Sequence, residues 1–381
     1  MNNVTPFGLY IHVPFCDGKC PYCDFYSLPV SEEQMDRYTR RMLEALGAYA
    51  EQYPRPADTL YFGGGTPSLL GAKRLSALIA RAKECFGLDS AEITVEVNPA
   101  EDLSGFLKDI RVVGANRLSI GLQSANEDEL ALLGRRHTAE QAKKAVRDAQ
   151  SAGFDNISLD LMLAIQKQTR ESLLRSIEFC ADAGVQHISA YLLKIEPNTV
   201  YGKKKETLCV PDDDAAGDLY LFACEELEKR GFHQYEISNF AKPDCESRHN
   251  LKYWRCEEYL GIGPAAHSFM EGKRFYYKRN FSEFLGGAQP VPDGDGGGFE
   301  EYAMLALRLT EGLTDKGCRA RFGGKLPERL LRAARLYEKG GLTVCGDGGF
   351  HFTPKGFLVS NMLTAEILYS GEAAYTAPAL R

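Results

Sequence analysis

Short apolar runs and amphipathic stretches alternate through the first 240 residues of the chain. An apolar run at 9–13 is followed by a helical pattern from Ser31 to about Tyr49, and Ser31 with Gln34 predicts a capping box at its start. Five more strand-like runs follow, at Thr59 to Phe62, Ile93 to Val97, Arg117 to Leu122, Ile157 to Leu163 and His187 to Leu193. A helical stretch separates each from the next, so the chain reads as α/β, with parallel strands wound into a barrel or part of one. In such folds the loops leaving the C-terminal ends of the strands carry the chemistry, which makes the ends of these runs the positions to watch.

Near Gly231 this rhythm breaks. Residues 241–285, and above all His249 to Phe269, are rich in Tyr, Trp, Gly and His and read as a site segment rather than another repeat. The stretch 286–298, GGAQPVPDGDGGG, has almost no apolar content and predicts a flexible linker. Beyond it, EEYAMLALRL and LPERLLRAARLYEKGGL have helical periodicity, and FHFTPKGFLVSNMLTAEIL closes with strand, turn and helix. Residues 299–381 therefore predict a small, mainly α C-terminal domain.

Composition narrows the classes. A chain of 381 residues with 44% hydrophobic and 25% charged residues is an ordinary globular protein of about two or three domains, and no window is apolar enough to span a membrane. Peripheral membrane contact stays open. A net charge of −7 provides no basic field for a phosphate backbone, which argues against nucleic acid. The N-terminal sequence has neither the basic start nor the apolar run of a secretory signal, and a cytoplasmic protein is expected. In that compartment the eleven cysteines are thiols or ligands rather than disulfides. Cys85, Cys180 and Cys224 lie in helical patterns as small core residues.

Three of the others stand apart. Cys16, Cys20 and Cys23 fall within eight residues directly after the first strand, a grouping that chance gives on the order of one chain in a hundred. Thiolates at this density are ligands for an iron-sulfur cluster or for zinc. Structural zinc takes four closed ligands, and no fourth stands nearby. Three thiolates on a four-iron cluster leave one iron open to a small chelating molecule. After the second strand, Gly63-Gly64-Gly65-Thr66-Pro67 forms a loop where backbone can approach a ligand, or simply a tight turn before a helix; it matches no phosphate-binding pattern.

The C-x3-C-x2-C spacing resembles that of the radical S-adenosylmethionine superfamily. The resemblance implies a partial (β/α)6 TIM-like barrel in which Cys16, Cys20 and Cys23 hold a 4Fe-4S cluster. S-Adenosylmethionine would bind the open iron, and an electron donor would feed cleavage of its sulfonium to a 5′-deoxyadenosyl radical. Similarity then extends over nearly the whole chain. Tyr10-x-His12-x-Pro14-Phe15-Cys16, GGGTPS, TVEVNP at 94–99 and LSIGLQS at 118–124 resemble the oxygen-independent coproporphyrinogen oxidase family and its HemW branch. That similarity puts Tyr10, Gly64, Gly65, Thr66, Glu96, Gln123, Arg135 and Asp160 at cofactor-contacting positions, with Tyr22 between the cluster cysteines. Read on their own, Glu96 and Asp160 are carboxylates on apolar strands, costly unless a ligand or an internal cation pairs them. Arg135, next to Arg136, could equally belong to a solvated pair.

Two departures separate the branches. The oxidases usually carry a fourth cysteine two positions after the third and a long N-terminal extension; here Asp24-Phe25 follows Cys23, and Tyr10 is already in the motif. Both favour the HemW branch of haem chaperones. His249-Asn250-Leu251-Lys252-Tyr253-Trp254 matches that branch's HNxxYW run, which makes His249 the candidate haem ligand with Tyr253 and Trp254 beside the porphyrin. Without the resemblance the same run reads as a helix-capping pair with buried aromatics. Ala265 stands where relatives have glycine, so a positive φ there would strain the loop. Ala164-Ile165-Gln166-Lys167-Gln168 stands where relatives usually have Gly-Pro or Pro-Gly after the Asp160 strand. The resemblance thus implies a haem-binding chaperone that hands haem to an acceptor protein. Oxidative decarboxylation of coproporphyrinogen III, or radical chemistry on a non-porphyrin substrate, is the alternative; the acceptor and any turnover reaction are not legible.

Overall fold

Residues 5–99 and 102–369 are described in the structure, a computed structural model. The six anticipated strands are β1 (Phe7–Val13), β2 (Ala57–Gly64), β3 (Glu92–Val97), β4 (Arg117–Gln123), β5 (Ile157–Leu163) and β6 (His187–Leu192). They lie side by side in that order, and each pair is parallel. Helices Glu32–Gln52, Gly71–Phe86, Ser104–Val112, Ala139–Ser151 and Arg170–Asp182 fill the crossovers, the winding of a (β/α)6 partial barrel. Covered on both faces, such strands need near-continuous apolar sequence, and Leu9, Phe62, Val95, Ile120, Leu159 and Ile188 are indeed buried.

The polar exceptions share one face. Tyr10 is in register with Tyr61, Glu96 with Ser119, and Asp160 with Ser189, so a polar band crosses the six strands. Directly paired residues point the same way.

The sheet extends beyond the repeat. Strand β9 (Tyr259–Ile262) joins the free flank of β1 in parallel, followed by antiparallel β10 (His267–Met270), β11 (Lys273–Tyr276) and β12 (Val291–Asp295). On the other side β8 (Asn239–Ala241) pairs antiparallel with β6, and β7 (His233–Gln234) lies outermost. The stretch 286–298 thus needs correcting as a flexible linker, because Val291–Asp295 pairs with β11. An edge strand needs only backbone pairing, so Pro, Asp and Gly suffice there.

The capping box at Ser31 and Gln34 also needs correction. Ser31 is the N-cap, but its side chain makes no cap bond, and Glu32 reaches Arg74 at 2.6 Å. Capping boxes form instead at Thr138–Gln141 and Thr169–Ser172.

Two compact units result. The first runs up to His233 and includes Ser238–Tyr253 and Glu257–Gly296. The second contains Gln234–Ile237, Trp254–Cys256 and the chain from Gly297; its helices, among them Phe299–Ala306, Glu328–Arg335 and Ser360–Leu368, accompany a small sheet of β13 (Leu313–Thr314), β14 (Thr343–Gly346) and β15 (Gly349–Phe352). The anticipated C-terminal domain runs to residue 381, and its last part, 370–381, lies outside the described residues. No helix among the described residues is long and apolar enough to cross a membrane.

Candidate functional site

The C-terminal ends of β1 to β6 surround a cavity of about 370 Å³ in the first unit. Of the residues singled out in the sequence, Cys16, Cys20, Cys23, Tyr22, Gly64, Gly65, Thr66, Glu96, Gln123, Arg135 and Asp160 all line it. Tyr10 and His249 do not.

The cysteines sit on the loop after β1, half-buried and as free thiols. That loop is stitched to the glycine loop after β2: the Gly65 amide donates to the Val13 carbonyl at 2.8 Å and the Thr66 amide to the Phe15 carbonyl at 2.7 Å. Here the glycines answer to the protein. A side chain on Gly64, at φ +115°, would strike the His12 ring at 2.6 Å, and one on Gly65 would collide with the Phe15 carbonyl.

A polar chain then runs around the cysteines. The Thr66 hydroxyl donates toward Cys16 Sγ at 3.8 Å, Asn98 Nδ2 donates to Thr66 Oγ1 at 2.9 Å, and Arg135 Nη2 donates to Asn98 Oδ1 at 2.9 Å. Arg135 Nη1 closes the chain at Cys20 Sγ, 3.6 Å away. Hydroxyl and guanidinium donors stabilise sulfur that carries negative charge. Burial, with a smaller push from the neighbouring Cys20 and Cys16, moves the Cys23 thiol up. Arg136, by contrast, is exposed and pairs with Asp17, so the two neighbouring arginines part company. Asn98 stands just before a proline at a strand end, a signal that sequence reasoning passed over.

Deeper in the cavity the carboxylates of the polar band are held in place. Glu96 accepts from the Tyr61 hydroxyl at 2.8 Å and the Gly64 amide at 3.2 Å; removal from bulk water raises its carboxyl to about 7. Asp160 accepts from Ser119 at 3.1 Å and is also raised by burial. Arg117, fully buried at the start of β4, faces this cavity; its Nε has no hydrogen-bond partner among the described residues, and its charge favours the ionised form of both carboxyls. A charge opening an apolar strand was the signal for it. Gln123 takes φ +71° at a register irregularity ending β4, which turns the strand end at the cavity.

These features fit the groups implied by the sequence. Three thiols with hydrogen-bond donors beside them suit a cluster with one thiolate per iron, and among the described residues no three His, Cys, Asp or Glu side chains converge as for a single ion. Carboxylates at Glu96 and Asp160, with the unpartnered Arg117 Nε, suit a ligand carrying both amino and hydroxyl donors and a carboxylate.

Tyr10 and His249 lie outside the cavity lining. The Tyr10 hydroxyl meets His12 Nδ1 at 3.1 Å, and its ring lies beside those of Tyr61 and His249, 6.2 and 6.3 Å away. His249, on helix Arg248–Trp254, is 1% exposed; Nδ1 meets Thr59 Oγ1 and Nε2 meets the Tyr253 hydroxyl, each at 2.8 Å. Burial depresses its pKa to about 3, and its ring stacks on Tyr61 at 5.2 Å. As this side chain stands, no ring nitrogen is free to meet iron. Glu92 accepts the amides of Arg248 and His249 at 3.0 Å each and anchors the start of the helix. Trp254 belongs to the second unit, with the Arg308 guanidinium 4.4 Å over its ring.

The two departures are also visible. Phe25, in place of a fourth cysteine, is 66% exposed at the cavity rim, and Asp24 accepts from Arg279 at 3.3 Å. Ala265 does adopt φ +73°, and Ala164 and Lys167 are likewise positive; the Gln168 side chain bridges that turn, accepting from the Ala164 amide and donating to the Met162 carbonyl.

Residues 10–180 match the Radical SAM superfamily model, and residues 299–359 match the HemN C-terminal domain. A relative from Escherichia coli described as heme chaperone HemW is 40% identical over 282 residues, covering 72% of this chain and 73% of the relative. Its Bacillus subtilis counterpart, of the same description, is 32% identical over 365 residues, 92% and 96% of the two chains. Among solved structures, the E. coli coproporphyrinogen III oxidase HemN, titled a radical SAM enzyme, superposes with a TM-score of 0.81 at 21% identity over 95% of this chain and 90% of its own, a likeness of fold.

Proposed function

Because the chain belongs to the radical SAM superfamily and, within it, to the HemW family of haem chaperones, we propose that it binds haem and passes it to an acceptor protein while carrying a 4Fe-4S cluster and S-adenosylmethionine. One observation carries this reading: identity of 32–40% with chaperones along most of the chain, against 21% with the oxidase of the same fold.

In this reading Cys16, Cys20 and Cys23 hold the cluster, with Thr66 and Arg135 donating toward the cysteine sulfurs and Asn98 linking the two donors. Glu96, Gln123 and Asp160 accept the donors of S-adenosylmethionine, and Arg117 favours the charged form of the two carboxyls. When bound, the pair supplies one-electron cleavage of the sulfonium. Eleven free thiols suit a reducing compartment, in support of a cytoplasmic protein with an electron donor and a haem acceptor as partners.

The test is a titration of the full, anaerobically reconstituted chain with haemin, beside an assay with coproporphyrinogen III. Stoichiometric haem uptake without conversion of the tetrapyrrole is expected. Conversion, or no haem uptake, overturns the proposal.

A further inference from the structure

A chain that carries haem can hold the iron through an axial side chain, for which imidazole is a common choice. Seven histidines are available. His12 is enclosed between Tyr10 and the Tyr26 carbonyl, and His249 between Thr59 and Tyr253. His137 Nε2 donates to the Leu122 carbonyl in the interior, and His187 is buried against Ser158. His233 is tied to Glu228 at 2.7 Å, and His351, in the second unit, to the Phe352 carbonyl. Two of the seven are exposed, His233 and His267, and of these only His267 makes no hydrogen bond at either ring nitrogen among the described residues.

Its surroundings suit a porphyrin. His267 opens β10 opposite Tyr276 of β11, and the two rings stack at 5.2 Å and 21°. An iron bond forms at the imidazole edge, in the plane of the ring, so a stacked neighbour fixes that plane and leaves the nitrogens open. Since β10 runs antiparallel to β9, and β9 parallel to β1, His267 lies at the end of the sheet that bears the cluster loop. The same end holds Arg279, whose exposed pair with Asp24 next to Cys23 is of a kind worth little in water and easily exchanged. Arg279 is a cation that a haem propionate could meet, whereas Arg274 lies 4.7 Å over the Phe269 ring and donates to the Tyr259 hydroxyl, and the Asp293 carboxylate also faces the His267 ring. Burial, the larger influence, and these arginines hold the imidazole below its usual pKa against the opposing pull of Asp293, so it is neutral and able to donate.

We infer that His267, held in plane by Tyr276 at the cluster end of the sheet, is the axial ligand through which this chain carries haem, with Arg279 meeting a propionate. The inference rests on the chaperone reading above. It also suits that role, because a surface imidazole can surrender iron to an acceptor without opening the core, as His249 could not.

The experiment titrates haemin into the full reconstituted chain and its variants, following the Soret band. His267→Ala is expected to lose the histidine-ligated spectrum and weaken binding at least about ten-fold, with free imidazole restoring the band. His249→Ala keeps it. Iron content of the cluster, unchanged in His267→Ala, shows that the variant is folded. If the His267→Ala spectrum and affinity match wild type, or if the signature disappears only in His249→Ala, the ligand assignment fails while the chaperone reading stands. Should wild type take up no haem, both fall.

Discussion

The hydroxyl of Tyr61 donates to Oε1 of Glu96 at 2.8 Å, and this bond is the largest of the contacts that oppose burial in setting the charge of the carboxyl, ahead of the Gly64 amide and Arg117. Burial raises Glu96 to about 7, where ionisation falls within the ordinary working range.

S-Adenosylmethionine affinity should accordingly rise between about pH 6 and pH 8, as Glu96 becomes an ionised acceptor. Removing the hydroxyl in Tyr61→Phe takes away a contribution that lowers the pKa, so the rise moves to higher pH. Equilibrium binding to the reconstituted protein and variant in parallel cancels the titration of the ligand itself. Superimposable profiles would show that Glu96 does not face the ligand.

Asn98 joins the two halves of the chain around the cysteines, donating to Thr66 and accepting from Arg135 at 2.9 Å each. In Asn98→Ala both partners keep their buried polar atoms and lose a bond, a cost of about 1–3 kcal/mol. S-Adenosylmethionine should bind roughly ten-fold more weakly while iron content stays at the wild-type level. Loss of iron along with affinity would mean that Asn98 holds the loop itself rather than the groups around it.

The six parallel strands and the cysteine loop were legible because each leaves a local mark: an apolar run long enough to be covered on both faces, or three thiols too close for chance. Glu96 and Asp160 were legible for the opposite reason, as charges interrupting such runs. What lay hidden depends on contacts distant in sequence. Strands β9 to β12 are four or five residues each, and the outer ones are too polar to show a pattern. The motif containing His249 could be read, but not its enclosure by Thr59, which lies 190 residues earlier. Gly64 and Gly65 looked like room for a ligand, whereas they are required by His12 and Phe15.

The enclosure of His249 has a pH signature. Burial depresses its pKa to about 3, against 6.5 for an exposed imidazole, so its neutral form stabilises the fold above pH 6.5 and that contribution is lost as pH falls toward 3. His249→Ala should cost about 2–4 kcal/mol near neutrality, from lost packing on Tyr61 and two unmet hydroxyls. Chemical denaturation at pH 7.5 and pH 5 should find the variant less sensitive to acid than wild type. Some sensitivity persists through His12 and His137, each lowered to about 4. A variant with undiminished acid sensitivity would mean that His249 is not the buried neutral group described.

Ala265 occupies φ +73° with its amide donating to the Tyr277 carbonyl at 3.1 Å, two residues before His267. A left-handed backbone costs an alanine roughly 1–2 kcal/mol, because Cβ crowds the neighbouring carbonyl. Glycine removes that crowding but loses more freedom on folding, an opposing effect of about 0.4–1 kcal/mol. The difference favours Ala265→Gly by about 0.5–1 kcal/mol, which in a chain of this size is a rise of roughly 1–3 °C in the unfolding midpoint. Thermal unfolding followed by circular dichroism checks it, and because Ala265 does not line the cavity that holds the cysteines the shift should be the same with and without the cluster. A lower midpoint would show that surrounding contacts, rather than backbone strain, decide the conformation of the turn that presents His267.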